Sequence, residues 1–253
     1  MGRIRRKSNS DIKKMREAGR LVAQGLELIR EKAEAGVTTG ELDAQVEDLW
    51  RSQGAEPAFK GYRGFPSSIC TSINEQVVHG IPGERELKSG DLLSVDAGVF
   101  YEGFAGDAAV TVAIGECSEE ALELMRVTKE SLGAAVEALR PNVKVSDVSR
   151  AVQEVVEGNG FSVVRRYTGH GIGRDLHEDP QVPNFVSKSF FGGDPKLPRG
   201  TTVAIEPMVT AGDYETRSLE DGWTVVTADG SLAAHFEHTI AVRAKGAEIL
   251  TKL

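Results

Sequence analysis

The sequence predicts an α/β fold of the α+β kind, made of two related halves that each run through a helical hairpin into antiparallel strands. Three observations predict it. The stretch 92–113 reads as a β-hairpin with one acid on each arm, the same pattern returns about 110 residues later, and each copy follows two segments of helical spacing.

In the first copy the arms are 92–97 and 108–113, flanking a turn at Glu102-Gly103. Period-2 alternation puts Ser94, Asp96, Asp107, Ala109 and Thr111 on one face and Leu93, Val95, Val110 and Val112 on the other. Asp96 and Asp107 then become diagonal neighbours across the strands. Two bare carboxylates so close repel, so one holds a proton or a cation lies between them. Taken alone, the pair also reads as a turn residue and a solvated strand-end acid.

The repeat favours the first reading. Leu87-Lys88-Ser89-Gly90 with Val95-Asp96 matches Leu197-Pro198-Arg199-Gly200 with Ile205-Glu206, and the strand opening at Asp107 matches the one opening at Glu237. Upstream, Met15-Arg16 matches Met125-Arg126 and Gly54 matches Gly160. Two halves, about 10–115 and 116–253, are expected to pack about a pseudo-two-fold axis as one domain, bringing four acids to one place.

At 253 residues with no linker-like shift in composition, the chain fits this plan. A chain this long buries roughly 70–75% of its unfolded surface without staples. The net charge of −8 speaks against broad nucleic-acid binding, and two divalent ions would balance four of those charges. Only two cysteines, Cys70 and Cys117, no apolar run of membrane-spanning length and no signal-peptide pattern give a cytoplasmic expectation, with no membrane partner.

In order, residues 1–9 form a basic arm (Arg3, Arg5, Arg6, Lys7), read as a mobile solvated tail, the alternative being contact with an acidic partner such as ribosomal RNA. Helices are expected at about 10–32, to about 52 after a Thr38/Glu41 capping box, at about 118–139 with Ser118 as cap, and at 145–158. Residues 53–86 read as loop-rich and functional, holding Tyr62, Phe65, Cys70 and His79. Strands are expected at 92–99, 105–113, 161–164, 201–209, 223–227 and 236–243, with loop over 178–196. The glycines of Gly169-His170-Gly171 permit close backbone approach around a histidine.

Asp96, Asp107, His170, Glu206 and Glu237 thus form a candidate set of four hard oxygen donors and one imidazole. Such a set suits divalent Mn, Fe or Co better than a structural zinc. Two bridged ions would use all five.

The chain resembles the type I methionine aminopeptidases of the pita-bread metallopeptidase family, in their short bacterial form. The resemblance rests on Gly61-Tyr62-Arg63-Gly64-Phe65-Pro66, Val78-His79-Gly80-Ile81-Pro82, Val95-Asp96-Ala97-Gly98, Gly106-Asp107, Gly169-His170-Gly171-Ile172-Gly173, His177-Glu178, Ile205-Glu206-Pro207-Met208, Asp221-Gly222-Trp223-Thr224 and Phe236-Glu237-His238-Thr239. It implies a curved antiparallel sheet and removal of the N-terminal methionine of nascent polypeptides with a small second residue, by a monomer. It also implies that Asp107 and Glu237 bridge the two ions, that His79 and His177 contact the substrate, that Glu206 shuttles the proton from the water to the leaving amine, and that Tyr62, Phe65, Cys70 and Trp223 line the methionine pocket. Leu176 stands where the family often has an aromatic residue, and Phe59 where some relatives have cysteine. The rival readings are an Xaa-Pro peptidase or prolidase, which shares the fold and ligands, and a binding module of the same fold without catalysis.

Overall fold

A computed structural model describes residues 4–186 and 193–252. The first half begins with α1 (Asn9–Lys32) and α2 (Thr39–Ser52), and the second with α3 (Glu119–Ala138) and α4 (Val145–Gly158). Local chemistry sets their starts. Thr38 and Glu41 close the expected capping box, and Ser118 caps α3 through the Ala121 N–H. Ser8 and Asp11 form a further box that fixes the start of α1. The two first-half helices meet where Gly25 admits the Trp50 ring, whose Nε1 donates to the Leu21 carbonyl at 2.8 Å.

The hairpin is longer than expected, with strands Leu92–Tyr101 and Phe104–Ala113. Its register is the expected one, Asp96 opposite Ala109 and Gly98 opposite Asp107, so the two acids are diagonal on one face. The other face buries Leu93, Val95 and Val110 in a core shared with Leu21 and Leu26 of α1, Leu124 and Val127 of α3, and Val203, Ile205 and Ile240 of the second half.

In the second half, Thr202–Ile205 pairs with His238–Arg243 in a five-stranded antiparallel sheet that includes Gly169–Gly171, Glu178–Val182 and Gly246–Ile249. Here the repeat is not carried through unchanged. The expected strand 201–209 breaks at Glu206-Pro207, because proline has no N–H for the ladder, and resumes as Met208–Thr210 in another sheet. Offsets of 110 and 130 map Leu92 and Ala113, which face each other, onto Thr202 and Arg243; Thr202 instead pairs with Ala241, a shift of two residues.

The halves meet along a seam of exchanged hydrogen bonds. Ala109 and Glu237 trade backbone N–H···O bonds (3.4 and 3.0 Å), and the Thr111 hydroxyl donates to the His235 carbonyl (2.8 Å) while accepting from the His235 N–H (2.9 Å).

Other differences from the sequence reading have physical causes. Inside the expected loop 53–86 lies the strand Ile69–Ile73, buried along its length and paired with the acid-bearing strand, so it shows no alternation. Inside the expected loop 178–196 lies Glu178–Val182, an edge strand disguised by its acids and Pro180; residues 187–192 of that loop lie outside the described residues. Short strands at Thr216–Ser218, Ala233–His235 and Gly246–Ile249 are additional. The arm expected to be a free tail is docked. Arg5 pairs with Asp175, Arg6 donates to the Arg199 carbonyl and Lys7 pairs with Glu178, while Arg3 lies outside the described residues.

Candidate active site

Asp96, Asp107, His170, Glu206 and Glu237 all line one cavity of about 290 Å³. Asp107, His170 and Glu237 form its tightest group, with one ligand atom of each within 4.8 Å of the others. Glu206 Oε1 lies 3.6 Å and Asp107 Oδ2 3.8 Å from His170 Nε2. The first-half acids project from unbroken strands, whereas Glu206 and Glu237 sit at strand breaks. Asn184 donates to the Glu206 carbonyl at 2.9 Å and so holds that break.

His170 is fixed by its neighbours. Any Cβ on Gly171 would collide with the Asp179 carbonyl, and one on Gly169 would press on the Ala204 carbonyl, so only glycine lets strands close on both sides of the ring. His170 Nδ1 lies 2.8 Å from the Gly171 carbonyl, which places the proton on Nδ1 and leaves Nε2 free toward the acids. Burial pushes the imidazole down to about 3, keeping it neutral and able to act as a ligand.

The acids respond to burial and to one another. Burial raises Asp96 to about 7, and burial together with the neighbouring carboxylates pushes Asp107, Glu206 and Glu237 well above the usual range. Asp96 Oδ1, Asp107 Oδ1 and Glu237 Oε1 are buried and have no hydrogen-bond partner among the described residues. A buried, unpaired carboxylate oxygen is costly, and three on acids that line one cavity with a neutral imidazole are what a cation relieves. The donor set therefore fits a divalent metal.

The other candidate residues line the same cavity. Cys70 lies opposite Asp96 on the adjacent strand. Phe65 and Trp223 meet edge to face at 5.1 Å, and Asp221 Oδ1 holds the Trp223 and Thr224 N–H groups at 2.8 Å. Tyr62 stacks on His177, its hydroxyl 3.0 Å from His177 Nδ1, and the His177 ring lies 4.1 Å from that of His170. His79, at φ 61°, sits edge-on to Tyr167 and Trp223; burial lowers it to about 4. His177 is lowered by burial and, less, by the Arg63 guanidinium. Phe59 and Leu176 line the wall as well.

Tyr167, Thr168, Arg63, Val78 and Met208 line the cavity and are not among the residues singled out from the sequence. Thr168 had a signal, since alternation two residues before His170 puts it on the same side.

The fold and the oxygen-rich, single-histidine donor cluster fit the class of metallopeptidases. The profile of metallopeptidase family M24 matches residues 13–244, and the chain belongs to that family. It is 50% identical to a methionine aminopeptidase of Clostridium perfringens over 245 residues, 97% of each chain. The crystal structure of methionine aminopeptidase from Thermotoga maritima superposes with a TM-score of 0.96 at 48% identity, covering 99% of this chain and 100% of that one. The prolidase from Pyrococcus furiosus shares the fold, with a TM-score of 0.80 at 22% identity, over 98% of this chain and 65% of that one.

Proposed function

We propose that this chain is a methionine aminopeptidase of the type I short form, which removes the initiator methionine from nascent polypeptides whose second residue is small. The observation that carries the reading is the juxtaposition, in one small cavity, of the Asp107, His170 and Glu237 cluster with the apolar wall formed by Phe65, Cys70 and Trp223. Relatives of the same span at about half identity bear that name.

Asp96, Asp107, His170, Glu206 and Glu237 would hold two divalent ions, Co, Mn or Fe. Bound there, such ions supply Lewis acidity, which lowers the pKa of water toward neutrality and polarises a carbonyl. The protein's own groups do the rest. The thioether of methionine packs against the Phe65 and Trp223 rings and Cys70. With the Tyr62 hydroxyl donating to His177 Nδ1, 3.0 Å away, the ring would carry its proton on Nε2 and donate it toward the carbonyl oxygen of the scissile bond. His79, neutral through burial, hydrogen-bonds near the scissile nitrogen. Glu206 takes the proton from the attacking water and passes it to the leaving amine.

No helix among the described residues is long and apolar enough to cross a membrane. We place the protein in the cytoplasm as a monomer. A ribosomal contact by residues 1–9 would draw on charges other than Arg5 and Lys7, which are paired with acids of this chain. The test is methionine release by the metal-reconstituted protein. Met-Gly-x peptides should be cut, while Met-Leu-x and N-acetylated Met-Gly-x should not. Equal cleavage of all three would refute the reading.

A further inference from the structure

Residues 5–8 approach α1 along the edge of the active-site wall. The Lys7 N–H donates to the Gly200 carbonyl at 2.7 Å and Arg6 Nε to the Arg199 carbonyl at 2.9 Å. The Lys7 side chain then turns inward, and its Nζ lies 2.6 Å from Glu178 Oε2. Both side chains are nearly sealed, 6% and 3% exposed, whereas most ion pairs of this protein are on its surface. A Cβ on Gly173 would overlap Lys7 Cε and Glu178 Oε1, so glycine at 173 leaves room for the pair where it lies.

Glu178 is the residue after His177. Its second oxygen, Oε1, accepts the backbone N–H groups of Arg174 (3.0 Å) and Asp175 (3.4 Å), and Asp175 is tied in turn to Arg5 at 2.8 Å. One buried carboxylate therefore gathers both ends of the turn that carries His177, and Lys7 is its nearest counter-ion. Without the ammonium, the carboxylate keeps only the exposed Arg5 guanidinium, 3.8 Å from Oε1, and its buried Oε2 recruits water or a proton, which the turn relaxes to admit.

We propose that Lys7 is a positioning residue. Through Glu178 it sets the placement of His177 over the reacting carbonyl, so the N-terminal strap belongs to the active site. The inference rests on the reading of His177 as a substrate contact. A displacement of about 1 Å at such a contact costs turnover about a hundredfold while leaving the binding of a side chain in its pocket nearly intact.

The test is a double-mutant cycle on a Met-Ala-Ser peptide at saturating metal, with Lys7→Met made in the native chain and in His177→Ala. In the native chain, kcat should fall by about tenfold or more with KM changed by less than about threefold, and Lys7→Arg should restore most of it. In His177→Ala, the same change should cost less than about twofold, since the group it places is gone. Equal losses in the two backgrounds, or normal kcat in Lys7→Met, would overturn the proposal. If Lys7→Met does not fold, Glu178→Gln, which keeps an acceptor and removes the charge, goes through the same cycle with the same expectations. A native chain that releases no methionine overturns the functional reading and this inference together, an outcome distinct from an active native chain with indifferent Lys7 variants.

Discussion

The backbone N–H of Asp107 donates to Thr239 Oγ1 at 3.0 Å, and the same hydroxyl donates back to the Asp107 carbonyl at 2.7 Å. The repeat maps Asp107 onto Glu237 and Ala109 onto Thr239, so this exchange is the counterpart of the backbone exchange between Ala109 and Glu237. Thr239→Val keeps the shape and removes the hydroxyl, leaving a buried N–H and a buried carbonyl unpaired. Unfolding free energy should drop by about 1–3 kcal/mol. A urea titration of the metal-loaded protein reads it directly, and an unchanged midpoint would mean that the seam does not depend on this hydroxyl.

Asp107→Ala or Glu237→Ala removes an oxygen shared by both proposed ions and should abolish metal loading and activity together. His170→Ala removes a donor from one ion and should lower occupancy unequally. Metal analysis alongside turnover distinguishes these results. Full loading with normal turnover in Asp107→Ala would contradict the bridging role.

His79→Ala and His177→Ala should slow turnover between about tenfold and a thousandfold while leaving metal content intact, because each hydrogen bond strengthens as charge develops on the substrate. Activity regained in excess metal would show that the histidine serves the ions instead.

Burial holds His79 at about 4 instead of the usual 6.5. Its folded pKa lies below its unfolded one, so its contribution to stability is complete above about 6.5 and is lost as pH falls from there through about 4. At 1.36 kcal/mol per unit this amounts to ~3 kcal/mol. Unfolding free energies of His79→Gln should therefore fall less steeply than those of the native chain between pH 6.5 and 4. Parallel curves would place the histidine in contact with solvent.

Trp223→Ala opens the wall against which Phe65 packs. A pocket of this kind separates methionine from norleucine poorly, because they differ by one sulfur for one methylene, but it should reject β-branched side chains. The variant should lose preference for Met-Gly over Val-Gly peptides. A preserved preference would remove Trp223 from the pocket.

The positions of these groups were legible to different depths. Asp96 and Asp107 could be placed on one face because strand alternation has a period of two and the turn at Glu102-Gly103 fixes the register. Glu206 and Glu237 were legible only through the repeat, since Pro207 breaks one strand beside its acid and the ladder shifts by two residues. Alternation fails for Ile69–Ile73, covered on both faces, and for Glu178–Val182, an edge strand that reads as loop. Lys7 and Glu178 lie 171 residues apart, and no local pattern links them.

The seam also constrains the order of folding. Asp107 and Thr239 are separated by 132 residues, and Thr111 and His235 by 124, so the hydrogen bonds that align the halves close loops about half the chain long. Neither half carries the full donor set. A chain emerging during synthesis cannot assemble the complete metal site until its last strands have been made, and an ion that binds only the assembled site stabilises the whole molecule by mass action.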